Sequence, residues 1–248
     1  MKKYKLTTET LQFAGRTLHR IKAVKDFDSI KAGEFGGWIE NEKNLSQDDN
    51  AWIYGDAMVF DNAEVFDNAE VFDNAKVYGN AEVYGNANVS GNAKVYGNAE
   101  VYGYANVFDN AKVYGNAKVS GYANVSGYAN VSGYANVFGK ANVSGNAEVY
   151  GNAKVYGNAK VYGNAEVKGD AKVHDAVDYI VFKNFWSSGR YFTWTSSNNK
   201  WSVGCFYGTG EELIKKAYAD SEKSGREYER VVRYVESILA DEKKEKSN

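Results

Sequence analysis

The sequence predicts a mainly β protein whose centre is a parallel β-solenoid, and three observations support this fold class. A hexapeptide of the form Ala-x-Val-aromatic-Gly-Asn recurs twenty-one times, without one insertion, from Ala51 to His174. Ala and Val stand two positions apart and so point to the same side of an extended chain. Most units also contain Gly-Asn or Asp-Asn, which accept the positive φ of tight corners. Because a Gly in most units disfavours a helix, stacked coils of short parallel strands are the arrangement that buries every Ala and Val.

This spacing resembles the hexapeptide repeat of left-handed parallel β-helices, in which an aliphatic residue recurs every six positions with a small residue two positions before it. The resemblance covers residues 51–174, half of the chain. It implies a left hand and three hexapeptides per coil, hence about seven three-sided coils. The segment from Lys22 to Ala57 is also similar to the lead-in of hexapeptide-repeat proteins encoded by phages and prophages, which implies a bacterial host cytoplasm as the location.

The N-terminal residues 1–50 are predicted to form a β cap, because the open edge of a solenoid exposes unpaired strand edges. A hairpin is expected to turn at Gly15. Ile39 and Leu45 stand six positions apart, as in one degenerate coil.

The C-terminal residues 175–248 are predicted to form a small α+β domain. Three aromatic and β-branched runs indicate a three-stranded meander, and two amphipathic helix patterns follow them. Thr209 and Glu212 have the spacing of a capping box, and Ser224 with Glu227 repeats it before the second helix. The domain is similar to a C-terminal domain of phage proteins, a resemblance that brings no known activity.

Composition narrows the function classes. The formal net charge is -2, from 30 Lys and Arg against 32 Asp and Glu, so nucleic acid is an unlikely partner. No apolar run has the length of a membrane span or resembles a signal peptide, so we expect a cytoplasmic protein. A three-His zinc site is impossible with only His19 and His174, and no metal or cofactor is predicted. Cys205, the single cysteine, is expected to be a buried structural thiol.

The residue after each Val should face outward, and it is Tyr or Phe in 14 of 21 units. Residues 18 apart then form ladders, which either stabilise the coils or present an interaction surface. The predicted aromatic ladders are Tyr78, Tyr96 and Tyr114 on one face and Phe66, Tyr84 and Tyr102 on another. A ladder of Asn88, Asn106, Asn124 and Asn142 is predicted on the third face. One face with alternating lysines and tyrosines is the alternative candidate binding surface; it comprises Lys76, Tyr78, Lys94, Tyr96, Lys112 and Tyr114.

The first candidate binding site is an aromatic cluster in the C-terminal domain, formed by Trp186, Arg190, Tyr191, Trp194 and Trp201. These residues either build a compact aromatic core on the two helices or form a rim of the composition enriched at protein interfaces.

These features lead us to expect a non-enzymatic protein that acts by binding, with the solenoid as a rigid spacer for the C-terminal domain. A host protein is the expected partner, and inhibition of a bacterial defence system is a hypothesis from the phage-like setting alone. Two alternatives stay open. One is a hexapeptide-type acyltransferase with His174 as general base, and the other is a protein that sequesters a small ligand such as a nucleotide. The resemblance also implies a homo-oligomer.

Overall fold

The computed structural model describes residues 2–186 and 189–245. The chain divides into two compact units, Met1–Asp178 and Tyr179–Asn248. The first unit contains the solenoid together with its N-terminal cap, and the division falls four residues after the last repeat position.

The hexapeptides form twenty-one strands of two residues each, numbered β4 to β24 in chain order. Their bounds are Trp52–Ile53, Met58–Val59, Glu64–Val65, Glu70–Val71, Lys76–Val77, Glu82–Val83, Asn88–Val89, Lys94–Val95, Glu100–Val101, Asn106–Val107, Lys112–Val113, Lys118–Val119, Asn124–Val125, Asn130–Val131, Asn136–Val137, Asn142–Val143, Glu148–Val149, Lys154–Val155, Lys160–Val161, Glu166–Val167 and Lys172–Val173. Each strand pairs in parallel with the strand three units later, as Lys76 does with Lys94. Three parallel sheets result, and three hexapeptides make one coil, as predicted.

The solenoid has about eight coils, one more than the repeat count predicts. The additional coil comes from the N-terminal region: β3 (Phe35–Ile39) pairs in parallel with Met58–Val59, and Leu45 bridges Val65. The degenerate coil expected around Ile39 and Leu45 is therefore confirmed. The left hand stays a prediction from the resemblance.

The interior consists of the repeated Ala and Val side chains, each 0% exposed from Ala51 to Val173. Backbone hydrogen bonds join each coil to the next at a constant offset. The Glu100 N–H, for example, donates to the Ala117 carbonyl at 3.0 Å, and the Tyr102 N–H donates to the Val119 carbonyl at 3.0 Å. The prediction that Ala and Val point inward is confirmed.

Glycine occupies most of the corners, where the backbone takes a positive φ and successive coils approach closely. Gly97 has a φ of +76°, and a Cβ atom added to it would lie 3.0 Å from the backbone nitrogen of Gly115. Four corners carry Asp instead, and each carboxylate accepts a hydrogen bond from the glycine N–H one coil later, at 3.0 to 3.2 Å. These residues are Asp61, Asp67, Asp73 and Asp109. The acidic side chains near the start of the solenoid thus have a structural role.

The N-terminal cap is a hairpin of β1 (Tyr4–Phe13) and β2 (Arg16–Ala23), and β2 pairs with β3 in the same sheet. Ala14 and Gly15 both have positive φ, so the turn falls where the sequence predicts it.

Two buried side chains of the N-terminal region donate hydrogen bonds to carbonyl groups at the start of the solenoid. Lys3 donates from Nζ to the Ala51 carbonyl at 2.8 Å, and Asn44 donates from Nδ2 to the Ala63 carbonyl at 2.8 Å. Burial lowers the pKa of Lys3 to about 8, although Asp49 lies 3.5 Å from its ammonium group and opposes this shift. The exposed edge is therefore closed by specific polar contacts as well as by the hairpin.

The second unit is an antiparallel sheet with two helices. Its strands are β25 (Tyr179–Lys183), β26 (Tyr191–Thr195), β27 (Lys200–Val203) and β28 (Phe206–Gly208), paired in that order. The sequence predicts three strands, but the third run turns back at Gly204, whose φ is +55°, and becomes two strands.

Helix α1 spans Gly210–Asp220 and begins at the predicted capping box: the Thr209 hydroxyl accepts from the Glu212 N–H, and the Glu212 carboxylate accepts from the Thr209 N–H. Helix α2 spans Glu222–Glu245. Its first turn is capped by Ser221, whose hydroxyl accepts from the Ser224 N–H at 3.1 Å, so the capping residue lies three positions before the predicted Ser224. Neither helix in the described part of the chain is both long and apolar enough to cross a membrane.

Corner glycines provide a matched pair for testing the close approach of coils. Gly97→Ala places an alanine at positive φ and also brings its Cβ against the next coil. Gly163→Ala places an alanine at positive φ without that contact, because nothing lies within 4 Å of its added Cβ. We expect Gly163→Ala to lower the free energy of unfolding by about 1–2 kcal/mol. Gly97→Ala should cost at least about 1 kcal/mol more. Urea denaturation measures both, and equal losses would contradict a steric role for the coil spacing.

The inward and outward positions are tested by two neighbouring substitutions. Val113 is fully buried and Lys112 is exposed on the same strand. Val113→Asp should destabilise the protein by several kcal/mol, roughly the cost of an unpaired buried charge. Lys112→Gln should change the free energy of unfolding by less than about 0.5 kcal/mol. Comparable losses in thermal unfolding would show that the two positions do not differ in burial.

Candidate functional site

The repeat ends at His174, which occupies the outward position of the last hexapeptide. Its ring continues a row of aromatic side chains: Phe138 and Tyr156 stack with centroids 5.2 Å apart, and His174 meets Tyr156 edge-on at 5.0 Å. Gly157 leaves room for the imidazole, because an added Cβ there would lie 2.5 Å from His174 Nε2. The ring is therefore positioned by the coil beneath it.

Two aspartates hold His174 in place. Nδ1 of His174 lies 2.6 Å from Oδ2 of Asp175, and the two side chains are 49% and 55% exposed. The Asp178 carboxylate accepts hydrogen bonds from the backbone N–H groups of His174 and Asp175, at 2.6 and 3.0 Å. Asp178 closes a 3-10 turn, Ala176–Asp178, that ends the solenoid unit.

This arrangement suits acid–base chemistry. A carboxylate that accepts from Nδ1–H selects the tautomer in which Nε2 carries the lone pair. Within residues 2–186 and 189–245, Nε2 has no hydrogen-bond partner. The sequence singles out His174 as a candidate base. It does not single out Asp175 and Asp178. The local signal for them is that aspartates follow the histidine at one and four positions.

The predicted lysine and tyrosine surface is formed as two parallel ladders. Lys76, Lys94 and Lys112 lie in register on neighbouring strands. Tyr78, Tyr96 and Tyr114 stack with centroids 4.9 and 5.0 Å apart and ring planes within 3° of parallel. The other predicted aromatic ladder, from Phe66 to Tyr102, stacks in the same way. On the third face, Asn88 donates from Nδ2 to Oδ1 of Asn106, and Asn106 donates from Nδ2 to Oδ1 of Asn124, both at 3.3 Å.

The N-terminal hairpin closes one end of the lysine and tyrosine surface, which the sequence does not predict. The tip of the hairpin lies beside the first strands of this face and leaves a cavity of about 350 Å³. Its lining residues are Phe13, Ala14, Arg16, Phe60, Asp61, Lys76, Tyr78 and Lys94. Only three of these, Lys76, Tyr78 and Lys94, belong to the predicted surface.

Two of the five residues of the predicted aromatic cluster belong to the core of the second unit. Trp194 and Trp201 are 3% and 2% exposed and pack with Phe192, Leu213 and Val232. These two tryptophans therefore cannot contribute to an exposed rim. Trp186 packs partly buried against the same core, Tyr191 is partly buried, and Arg190 is exposed. Contact with a partner stays a prediction for these last three residues.

Cys205 is exposed and does not form the predicted buried thiol, because it lies in the tight turn between β27 and β28 instead of inside a strand. In the residues that the structure describes, no group of three or more His, Cys, Asp or Glu side chains could hold a metal ion.

No family model matches the chain. One curated protein of Escherichia coli (strain K12), named "Uncharacterized acetyltransferase YdcK", is 39% identical over 62 residues. This match covers 22% of the present chain and 19% of the length of that protein. The chain is therefore similar to a short part of a protein whose name states an acetyltransferase.

This likeness corrects the expectation of a non-enzymatic protein. A solenoid of hexapeptide coils and a short match to a protein named acetyltransferase both stand against that expectation. The alternative of an acyltransferase with His174 as general base did not include the carboxylate that lies against Nδ1 of His174.

Proposed function

We propose that the protein is an acyltransferase of the hexapeptide-repeat type, with His174 as its general base. The observation that carries the proposal is the His174–Asp175 pair, 2.6 Å apart at the end of the solenoid. The short match to a protein named acetyltransferase supports the reaction class. A phage or prophage origin, a cytoplasmic location and a homo-oligomer remain predictions from the sequence, and the proposed chemistry depends on none of them.

In this reaction Nε2 of His174 removes a proton from the hydroxyl or amine of the acceptor. The acceptor attacks the carbonyl carbon of a thioester donor, the carbon–sulfur bond breaks, and the departing thiolate takes up the proton. Asp175 orients the imidazole and stabilises the imidazolium that forms in between. Asp178 is a positioning residue, because it fixes the backbone that carries both groups.

Positive charge lies beside the proposed base. Lys154 and Lys172 are exposed and stand in register on neighbouring strands, and Lys172 is two residues before His174. A thioester donor of the coenzyme A class carries several phosphate groups, and ammonium groups attract such anions. No insertion interrupts the coils, so the donor in this proposal binds against the outer surface of the last coils.

Acyl transfer is tested by the release of free thiol from acetyl-coenzyme A in the presence of a panel of small amines and alcohols. Because Cys205 is an exposed thiol, the assay uses the Cys205→Ser protein as its background. His174→Gln should lower kcat by a factor of about 10²–10⁴, the usual contribution of a general base. Asp175→Asn should lower kcat by about tenfold or more, because the imidazole loses its orienting carboxylate.

His19→Gln is the matched control, since His19 lies in the N-terminal cap and its Nδ1 is 3.4 Å from the Thr7 carbonyl oxygen. It should leave kcat unchanged, and circular dichroism should show that all variants are folded. Full turnover by His174→Gln would remove this residue from the reaction. The absence of thiol release with every acceptor would overturn acyl transfer itself.

A further inference from the structure

The cavity between the hairpin tip and the lysine and tyrosine surface has features of a binding site. Its volume of about 350 Å³ lies at the lower end of the range for small-molecule sites. Lys76 and Lys94 belong to early coils of the solenoid, whereas His174 belongs to its last coil. The cavity is therefore separate from the proposed acyl-transfer centre.

The positively charged side chains that line this cavity differ in whether a carboxylate neutralises them. Arg16 pairs with the Asp61 carboxylate and lies 3.8 Å from the Glu40 carboxylate. In the part of the chain that the structure describes, neither Lys76 nor Lys94 has an ion-pair partner. Lys76 and Lys94 therefore line the cavity in register, and the one carboxylate in its lining, that of Asp61, pairs with Arg16.

The environment of Lys76 also contains uncompensated positive charge. Burial, followed by the positive charge of Lys94, lowers the pKa of Lys76. Lys76 donates one hydrogen bond, to the Asn74 carbonyl at 3.2 Å, and an ammonium group has three donors. A dianion between the two lysines would balance both charges and accept the remaining hydrogen bonds.

Aromatic rings form the other part of the lining. Phe60 stacks on Tyr78 with centroids 5.0 Å apart and planes within 3° of parallel. Phe13, from the hairpin, meets Phe60 edge-on at 5.7 Å, and the Lys76 ammonium lies 5.6 Å from the Phe13 ring centroid. Phe60 is buried, and Tyr78 is stacked between Phe60 and Tyr96, so the half-buried Phe13 ring and the edge of Tyr78 remain for a further planar ring.

We propose that this cavity binds a small aromatic phosphate, with its ring against Phe13 and the edge of Tyr78 and its phosphate between Lys76 and Lys94. The phosphate supplies the two negative charges that the lysines lack. The hairpin supplies the ring contact that the remainder of the ladder does not have. The same lysine and tyrosine pattern continues to Lys112 and Tyr114, which do not line the cavity beneath the hairpin.

The test is isothermal titration of the full chain with phenyl phosphate, compared with inorganic phosphate and with phenol. Phenyl phosphate should bind saturably and more tightly than either part alone. Lys94→Gln should weaken its binding by about tenfold or more, the typical effect of losing one charge-assisted hydrogen bond. Lys112→Gln removes the next lysine of the same ladder, outside the cavity, and should change the affinity by less than about twofold.

Phe13→Leu separates the contribution of the ring. The substitution should weaken the binding of phenyl phosphate, because the aromatic contact is lost. It should leave the affinity for inorganic phosphate unchanged, because an apolar side chain remains at the hairpin tip. Thermal unfolding checks that the variants keep their stability. Equal losses from Lys94→Gln and Lys112→Gln, equal binding of phenyl phosphate and inorganic phosphate, or no saturable binding of phenyl phosphate would each overturn the proposal.

Discussion

The backbone hydrogen bonds between successive coils are the interaction on which the rest of the solenoid depends. Each outward strand residue donates to a carbonyl in the next coil, at distances such as 2.9 Å from the Lys94 N–H to the Ala111 carbonyl. These bonds place every residue directly beside its equivalent 18 positions later. A single insertion would shift that register for one face, and none occurs between Ala51 and His174. The sequence is therefore monotonous because the same hydrogen-bonding pattern is repeated in every coil.

The same register determines what the outer surface can present. Tyr stacks on Tyr at about 5 Å, and Asn pairs with Asn, so uniform ladders form without a requirement for a ligand. Charges are placed in register as well. Glu100 meets Lys118 at 2.8 Å, whereas Lys76 is followed by Lys94 and Lys112. A row of like charges is a surface on which an external anion lowers the electrostatic energy.

Both proposed sites lie where the regular pattern ends. At one end, His174 replaces an aromatic side chain and the chain turns so that Asp175 reaches its ring. At the other end, the hairpin carries Phe13 and Arg16 to the first coils and encloses part of one ladder. A uniform ladder provides equivalent groups along its whole length, whereas recognition and catalysis need different groups at fixed distances. The ends of the repeat supply that difference.

The sequence by itself determined those features that depend on short and regular spacing. The alternation of Ala and Val placed both inside, the offset of 18 residues produced the stacked tyrosines, and Thr209 with Glu212 marked the start of the first helix. Each of these follows from a period or from residues three positions apart, which a pattern shows directly.

The tertiary structure decided the contacts between segments that share no pattern. It added an eighth coil through Leu45 and turned the third aromatic run back at Gly204, which exposed Cys205. It also placed Trp194 and Trp201 in the core and brought Arg16 to Asp61, 45 positions along the chain. The energy of these contacts comes from burial and charge pairing in three dimensions, and no local spacing in the sequence encodes which distant segments meet.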